Sequence, residues 1–393
     1  MIDRQPRQQS PLYANGRLYS QGNDRVYALD AYNGTVLWSL DVPGMRRVNI
    51  PRDTGNMCAD ADALFITVKN SCWRLGGRTG QLEMVYPAGD GIADKTAHWG
   101  YAAVLGDQLV GSRVTPDSSY SSFSGPDKWY DETSGGFGTS QIISRSLFSV
   151  AREDGLARWD RAAGAILNST ITIGGGRLYY IESRSSSVLN AGTGRTGSSD
   201  LWRNNFLVAL DVDSGDVLWR QPVTLPSSPA PVVAFLLYSE ERLITSIANS
   251  RYHVACYSAA NGSRQWSQDH SWNRNHHGGH MYHPVVVGDT VIVEPRGYDL
   301  FSGGSVFNSL PSRGGCSTMS AAARTVVYVD WDYDNGSFGF WDVDSGARVQ
   351  KAGSRGSCWL GLISGGGMVF SPTASSGCVC RYPLQTSIGY SSW

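Results

Sequence analysis

The chain is written in short apolar runs separated by glycine-bearing turns. Leu12-Tyr13-Ala14-Asn15-Gly16-Arg17-Leu18-Tyr19 shows one unit, two apolar runs joined by an Asn-Gly turn, and such a pair predicts two antiparallel strands. A second pattern follows. Val26-Tyr27-Ala28-Leu29-Asp30-Ala31-Tyr32-Asn33-Gly34-Thr35-Val36-Leu37-Trp38 reads as a strand, a turn ending in glycine and another strand. Leu207-Val208-Ala209-Leu210-Asp211-Val212-Asp213-Ser214-Gly215-Asp216-Val217-Leu218-Trp219 repeats it closely, 147–159, 255–266 and 340–346 repeat it more loosely, and 73–80 is a degenerate copy.

Four strands per repeat, recurring at roughly 40 to 47 residues where uninterrupted, is a propeller period. The marker glycines are Gly34, Gly80, Gly155, Gly215, Gly262, Gly303 and Gly346, with a final unmarked unit from Cys358 onward. The expectation is an all-β chain, a single β-propeller domain over 1–393 with about eight four-stranded blades. Seven is the alternative, because the last unit lacks the turn motif and would then close the first blade. Two long spacings carry insertions rich in Ser and Gly, near 116–140 and 183–199, expected as surface loops or as lids over the central face.

Composition agrees with strands and turns: 46 Gly, 13 Trp and 19 Tyr, but only 17% charged residues. A net charge of -1 gives no general surface for nucleic acid or acidic membrane. No apolar run is long enough to cross a bilayer, so a chain without a membrane span is expected. Met1-Ile2-Asp3-Arg4 is not a signal peptide, which does not exclude export, and a periplasmic or extracellular place is expected. Seven cysteines include Cys58 and Cys72 around one strand pair and Cys316, Cys358, Cys378 and Cys380 near the end. They read either as one or two disulfides or as buried thiols, and no zinc-ribbon spacing occurs.

The densest chemistry is Asn275-His276-His277-Gly278-Gly279-His280-Met281-Tyr282-His283-Pro284, which holds four of the seven histidines. It lies on a loop entering a strand, a common place for functional side chains. His276, His277, His280 and His283 form a candidate site for a divalent metal. Alternatively His277 or His280 acts as a general base with Tyr282 as acid, or the histidines bond neighbouring loops. If each such loop lies at one end of a central channel, other polar clusters join it: Asn49, Arg52, Asp53 and Asn56 before the second unit, His98, Trp99 and Tyr101 at the third, and Asn168 before the fourth. Cys316 enters the seventh unit and Trp359 the eighth. His98 is a further catalytic candidate. Arg52, Arg113, Arg274 and Arg296 are candidate anion contacts, and Trp99, Tyr101 and Trp359 candidate platforms for sugar rings.

The repeated Ala-Leu-Asp, glycine and Trp pattern resembles the PQQ-type β-propeller repeat of quinoprotein alcohol dehydrogenases and of the outer-membrane assembly lipoprotein. Arg52-Asp53-Thr54-Gly55-Asn56, 166–172 and His277-Gly278-Gly279-His280-Met281 further resemble a group of PQQ-like propellers from environmental bacteria. The resemblance implies the fold. The quinoproteins use two adjacent cysteines against the quinone, and no two cysteines are adjacent here, so PQQ is not expected as a cofactor. No Gly-x-Ser-x-Gly or Walker motif is present. Architecture and a histidine-rich funnel are also similar to propeller polysaccharide lyases. The leading expectation is therefore a carbohydrate-active enzyme that cleaves a uronate-containing polysaccharide or oligosaccharide by β-elimination, with or without metal. The alternatives are a non-catalytic binding propeller and, third, a quinoprotein-type oxidoreductase.

Overall fold

The computed structural model describes residues 9–48, 52–88, 96–119, 140–271, 283–310, 318–330, 337–352, 361–372 and 388–391. Their strands fall, in chain order, into eight antiparallel groups that we number as blades: 1 (12–41), 2 (57–87), 3 (98–167), 4 (172–223), 5 (233–270), 6 (285–307), 7 (320–352) and 8 (363–391). Blades 1 to 7 have four strands each in the simple order first to fourth; blade 8 shows three among the described residues. Blades 3 and 4 are joined at their edges, because the fourth strand of blade 3, Ala157–Leu167, runs on to pair Ala165 with Ser183 and Ile166 with Glu182. Blades 1–4 lie in one compact unit, within Arg7–Phe123 and Gly138–Ser227, and blades 5–8 in a second, within Ser228–Trp393.

Second strands such as Ala63–Val68 are buried along their whole length, whereas the fourth strand Val36–Asp41 is largely exposed. A strand covered on both faces reads as a continuous apolar run, and a strand at a sheet edge tolerates polar residues. Neighbouring blades share cores. Tyr19, Val26, Leu64 and Ile66 meet between blades 1 and 2, Phe65, Tyr86, Trp99 and Phe148 between 2 and 3, and Phe235, Ile244, Val291 and Tyr298 between 5 and 6.

The repeated turn has a local cause. The Asp30 carboxylate accepts the Tyr32 and Asn33 N–H groups, and Gly34 N–H donates to Asp30 O at φ +76. Asp211 and Asp299 do the same, Asp342 accepts the N–H and hydroxyl of Ser345, and the donated hydrogen bonds hold all three carboxyls below the usual range. After the glycine, a β-bulge lets the fourth residue on pair inward in blades 1 to 6: Trp38, Met84, Trp159, Trp219, Trp266 and Phe307. Three of the indoles then dock on the next blade's glycine turn. Trp38 Nε1–H donates to Gly77 O, Trp159 Nε1–H to Val212 O and Trp266 Nε1–H to Leu300 O, each at 2.9 Å.

A Cβ at Gly215 would lie 2.5 Å from the Trp159 ring, at a backbone φ of +72, whereas one at Gly34 would meet nothing within 4 Å. Gly215→Ala is therefore expected to cost roughly 2–4 kcal/mol by adding overpacking to backbone strain, and Gly34→Ala about 1–2 kcal/mol from strain alone. Urea midpoints of the two variants check this; equal losses would show that the indole dock does not matter.

The insertion at 183–199 is a structured strap. It contains the helix Ser186–Asn190 and the two-residue strand Arg195–Thr196, which pairs with Gln141 and Ile142 of blade 3. Val188 of that helix is buried, as are Leu201 and Trp202 just after the strap. The first residues of the other insertion meet the strap: Gly194 N–H donates to the Asp117 carboxylate and Arg195 Nε–H to Asp117 O. Residues 120–139 lie outside the described residues. Cys58, Cys72 and Cys256 are free thiols; burial pushes Cys58 and Cys256 up to about 12 and Cys72 upward. For these three the thiol reading holds, and the other four lie outside the described residues.

Candidate functional site

In the first unit the polar side chains gather at one end of blades 2 to 4, where the first strands begin. The connection from blade 1 to blade 2 runs across the end of the strand Ala63–Val68: Arg46 N–H donates to Thr67 O, and Trp99 N–H of blade 3 donates to Lys69 O two residues on. That brackets Arg46, Lys69 and His98 around one strand end. Arg46 Nη2–H donates to Asp53 Oδ2 at 2.5 Å, and both side chains are enclosed. Asn168, at the start of a single 3-10 turn entering blade 4, donates from Nδ2 to Asp53 Oδ1 at 2.9 Å. Its own Oδ1 accepts the Ser144 hydroxyl at 2.6 Å, and Ser144 in turn touches Ser112 at 2.9 Å. Asn56 Nδ2 donates to Gln21 Oε1 at 2.9 Å and to Arg46 O at 2.5 Å.

Electrostatics sharpens the cluster. Burial pushes the Asp53 carboxyl above its ordinary range, against Arg46, Asn168 and the Thr54 N–H, which favour the charged form. Half-buried His98 is lowered, first by burial and then by the nearby Arg46 and Lys69 charges, so it is neutral at neutral pH. Several buried polar atoms here have no hydrogen-bond partner: Arg46 Nε and Nη1, Thr54 Oγ1, Asn56 Oδ1 and Thr67 Oγ1. Leaving such atoms unpaired is costly, and these gather at one strand end.

Sequence-predicted residues divide sharply by where they point. Asn56, Asp53, Asn168 and His98 are brought together, and Arg52, next to Asp53, is buried. Trp99 is fully enclosed, packed edge-on to Phe148 at 4.6 Å with Nε1–H donating to Tyr101 O; it supports the blade and has no face for a sugar. Tyr101 is half-buried in the core shared by blades 3 and 4. Arg113 is committed inside blade 3, with both terminal nitrogens on the Asp160 carboxylate, Nε–H on Ala88 O and its guanidinium 4.4 Å from the Phe148 ring centroid. It is a structural tie rather than an anion contact.

In the second unit, His283 stacks on Phe235 with ring centroids 3.7 Å apart, and burial pushes it down to about 4. His276, His277, His280, Tyr282, Arg274, Asn49 and Trp359 lie outside the described residues, so most of the histidine loop does too. Among the described residues, no group of three His, Cys, Asp or Glu side chains could hold a metal ion, and no helix is long and apolar enough to cross a membrane.

Sequence reasoning missed Arg46, Gln21, Ser112 and Ser144. The adjacent pair Arg46-Arg47 was the available signal. The serines gave none, since strand serines at this spacing are ordinary.

Residues 196–314 match the family described as outer membrane protein assembly factor BamB. Among curated proteins, none matches the chain at the sequence level. Solved structures share its fold at low identity. The computationally designed Ika8 protein is 11% identical with a TM-score of 0.58, covering 93% of each chain. BamB from Moraxella catarrhalis is 12% identical with a TM-score of 0.54, covering 95% of each. The dihydro-heme d1 dehydrogenase NirN is 12% identical with a TM-score of 0.51, over 87% of this chain and 65% of that one. The repeat turns, the eight consecutive blades and these likenesses agree on a β-propeller fold, and residues 196–314 carry its PQQ-like repeat.

Proposed function

We propose that this propeller is a carbohydrate-active enzyme that cleaves a uronate-containing glycan by β-elimination, with His98 as base and the buried Arg46 and Arg52 guanidiniums lending positive charge from beneath the site. The observation that carries the reading is a neutral, half-buried imidazole beside the enclosed Arg46 guanidinium, two of whose nitrogens have no hydrogen-bond partner. β-Elimination needs that pairing. The neutral base takes the proton on the carbon next to the carboxylate, the C–H electrons form a carbon–carbon double bond, and the glycosidic C–O bond at the neighbouring carbon breaks. A water molecule would return a proton to the leaving oxygen. The cation offsets charge that builds on the carboxylate as the proton leaves. A metal held by His276, His277, His280 and His283 belongs to the proposal as a separate arm, PQQ does not, and a periplasmic or extracellular setting suits a polysaccharide substrate.

The test follows the ultraviolet absorbance of an unsaturated uronate product over a panel of uronate-containing polysaccharides, with and without chelator. One glycan should give a rise, and His98→Gln should lower its rate by at least about 100-fold. Because the His98 pKa is lowered, the rate should hold into mildly acidic pH and fall only below the ordinary histidine range. Chelator sensitivity or loss in His277→Ala would assign part of the chemistry to the histidine loop. A flat trace across the panel would sink the enzyme reading. It would favour a binding propeller, the second reading, which the similarity of 196–314 to an assembly factor supports.

A further inference from the structure

The seams between blades are not all filled alike. In blades 1 to 6 the bulge after the glycine turn sets a large side chain opposite the residue two before the turn's first position: Trp38 on Ala28, Met84 on Arg74, Trp159 on Ser149, Trp219 on Ala209, Trp266 on Cys256 and Phe307 on Gly297. Blade 7 has the same turn, closed by Gly346 N–H on Asp342 O, but no bulge follows. The register is therefore one residue short, and Val349 pairs with Phe340 where the other blades carry the larger group. A one-residue slip also exchanges the two faces of a strand. Gln350, the sequence equivalent of those large residues, is instead drawn to the buried Asp330 carboxylate at 2.7 Å, beside Arg348 at 2.5 Å.

The consequence is an open seam within the second unit. Among the described residues, blades 7 and 8 share a small buried core of Val327, Phe338 and Leu362, with Phe340 and Val369 packed against it. Beside it lies a cleft of about 1060 Å³ walled by Val327, Phe340, Val349, Met368 and Val369. The turn Gly365–Gly367 forms one side, and a Cβ at Gly367 would meet nothing within 4 Å. Among the described residues that line it, Lys351 is the one that carries a charge.

We propose that this cleft is a binding site for an apolar small molecule carrying one acidic group, such as an acyl or aryl carboxylate. Its volume is at the upper end of the roughly 300–1,000 Å³ usual for small-molecule sites and far exceeds one side chain. Apolar walls take the body of the ligand, and Lys351 at the solvent edge pairs with the acid. The site is independent of the polar cluster in the first unit and of any lyase activity.

Titration of the whole chain with 1-anilinonaphthalene-8-sulfonate tests it, because that probe joins an aromatic body to one anionic group. Saturable one-to-one fluorescence, displaced by dodecanoate but much less by dodecanol, is expected. Val349→Trp restores the plug the other seams carry and should weaken binding at least about tenfold while leaving the thermal midpoint equal or higher. Lys351→Glu, at an exposed position, should weaken it several-fold without touching the fold, and carries the test if the tryptophan variant fails to fold. Non-saturable fluorescence from the native chain, or unchanged affinity in Lys351→Glu together with a folded Val349→Trp, would overturn the proposal.

Discussion

Asp53→Ala is expected to destabilise the first unit by roughly 3–5 kcal/mol, because it leaves the Arg46 guanidinium buried with no counter-charge. Arg46 and Asp53 are 2% and 4% exposed, so water cannot take the carboxylate's place without the strand end opening. Asn168 would lose its acceptor as well. Urea unfolding gives the number; a loss under about 1 kcal/mol would mean that the guanidinium escapes to solvent and that the cluster is looser than its burial implies.

The same pair separates structural from functional need. Two charges taken out of water repay their desolvation poorly, and replacing both with apolar groups of similar volume is often neutral or stabilising. The upward push on Asp53, in spite of Arg46 and Asn168, is that cost seen from the carboxylate. Arg46→Met combined with Asp53→Leu should therefore recover most of the stability lost in Asp53→Ala. If the pair serves only the fold, a recovered variant also keeps every function of the chain. On the proposed reading it folds but no longer eliminates, because the buried positive charge that should favour the developing carboxylate charge is gone.

Which parts could be read from the sequence follows from the physics of strands. The turn motif was legible because Asp and Gly each have a specific task there, side-chain acceptance of two N–H groups and a positive φ. Asn56, Asp53 and Asn168 were legible because residues just before a first strand share one end of the sheets whichever face they point to. Trp99 and Arg113 were not. They sit in strands, where neighbours in sequence face opposite sides, and a residue's type does not say which. His98 and Trp99 show the rule: the histidine is half-buried and the tryptophan has no exposed surface. Arg46 escaped notice because its role depends on a backbone pairing with Thr67, a contact between segments that no local pattern encodes. The open seam at blade 7 lay halfway. Gln350 in place of an aromatic was visible four residues after Gly346, but the lost bulge that seats Val349 beside Phe340 was not.

The second unit should be most stable in mildly acidic solution and lose stability on both sides, through two neighbouring groups that titrate in opposite senses. Glu294, 6% exposed after the second strand of blade 6, is pushed by burial from 4.5 up to about 8. A raised carboxyl contributes stability that is complete below about pH 4.5 and is lost as pH rises through about 8, roughly 4–5 kcal/mol in all. His270 closes the fourth strand of blade 5 and is pushed down to about 4, first by burial. Its Nε2–H donates to Glu294 main-chain O at 3.2 Å, which fixes Nδ1 as the acceptor of the Tyr298 hydroxyl at 2.7 Å. A proton on Nδ1 would reverse that bond and place a charge where burial disfavours it. The lowered histidine thus contributes stability that is present above about pH 6.5 and lost as pH falls through about 4, roughly 3 kcal/mol. Denaturant unfolding between pH 4 and 9 should show a maximum between about 4.5 and 6.5. Glu294→Gln keeps the shape, removes the ionisation and should flatten the alkaline limb while leaving the acid limb in place. An alkaline decline of the same size in Glu294→Gln would assign it to another group, and the buried carboxyl would then have to be ionised and paired in the native state.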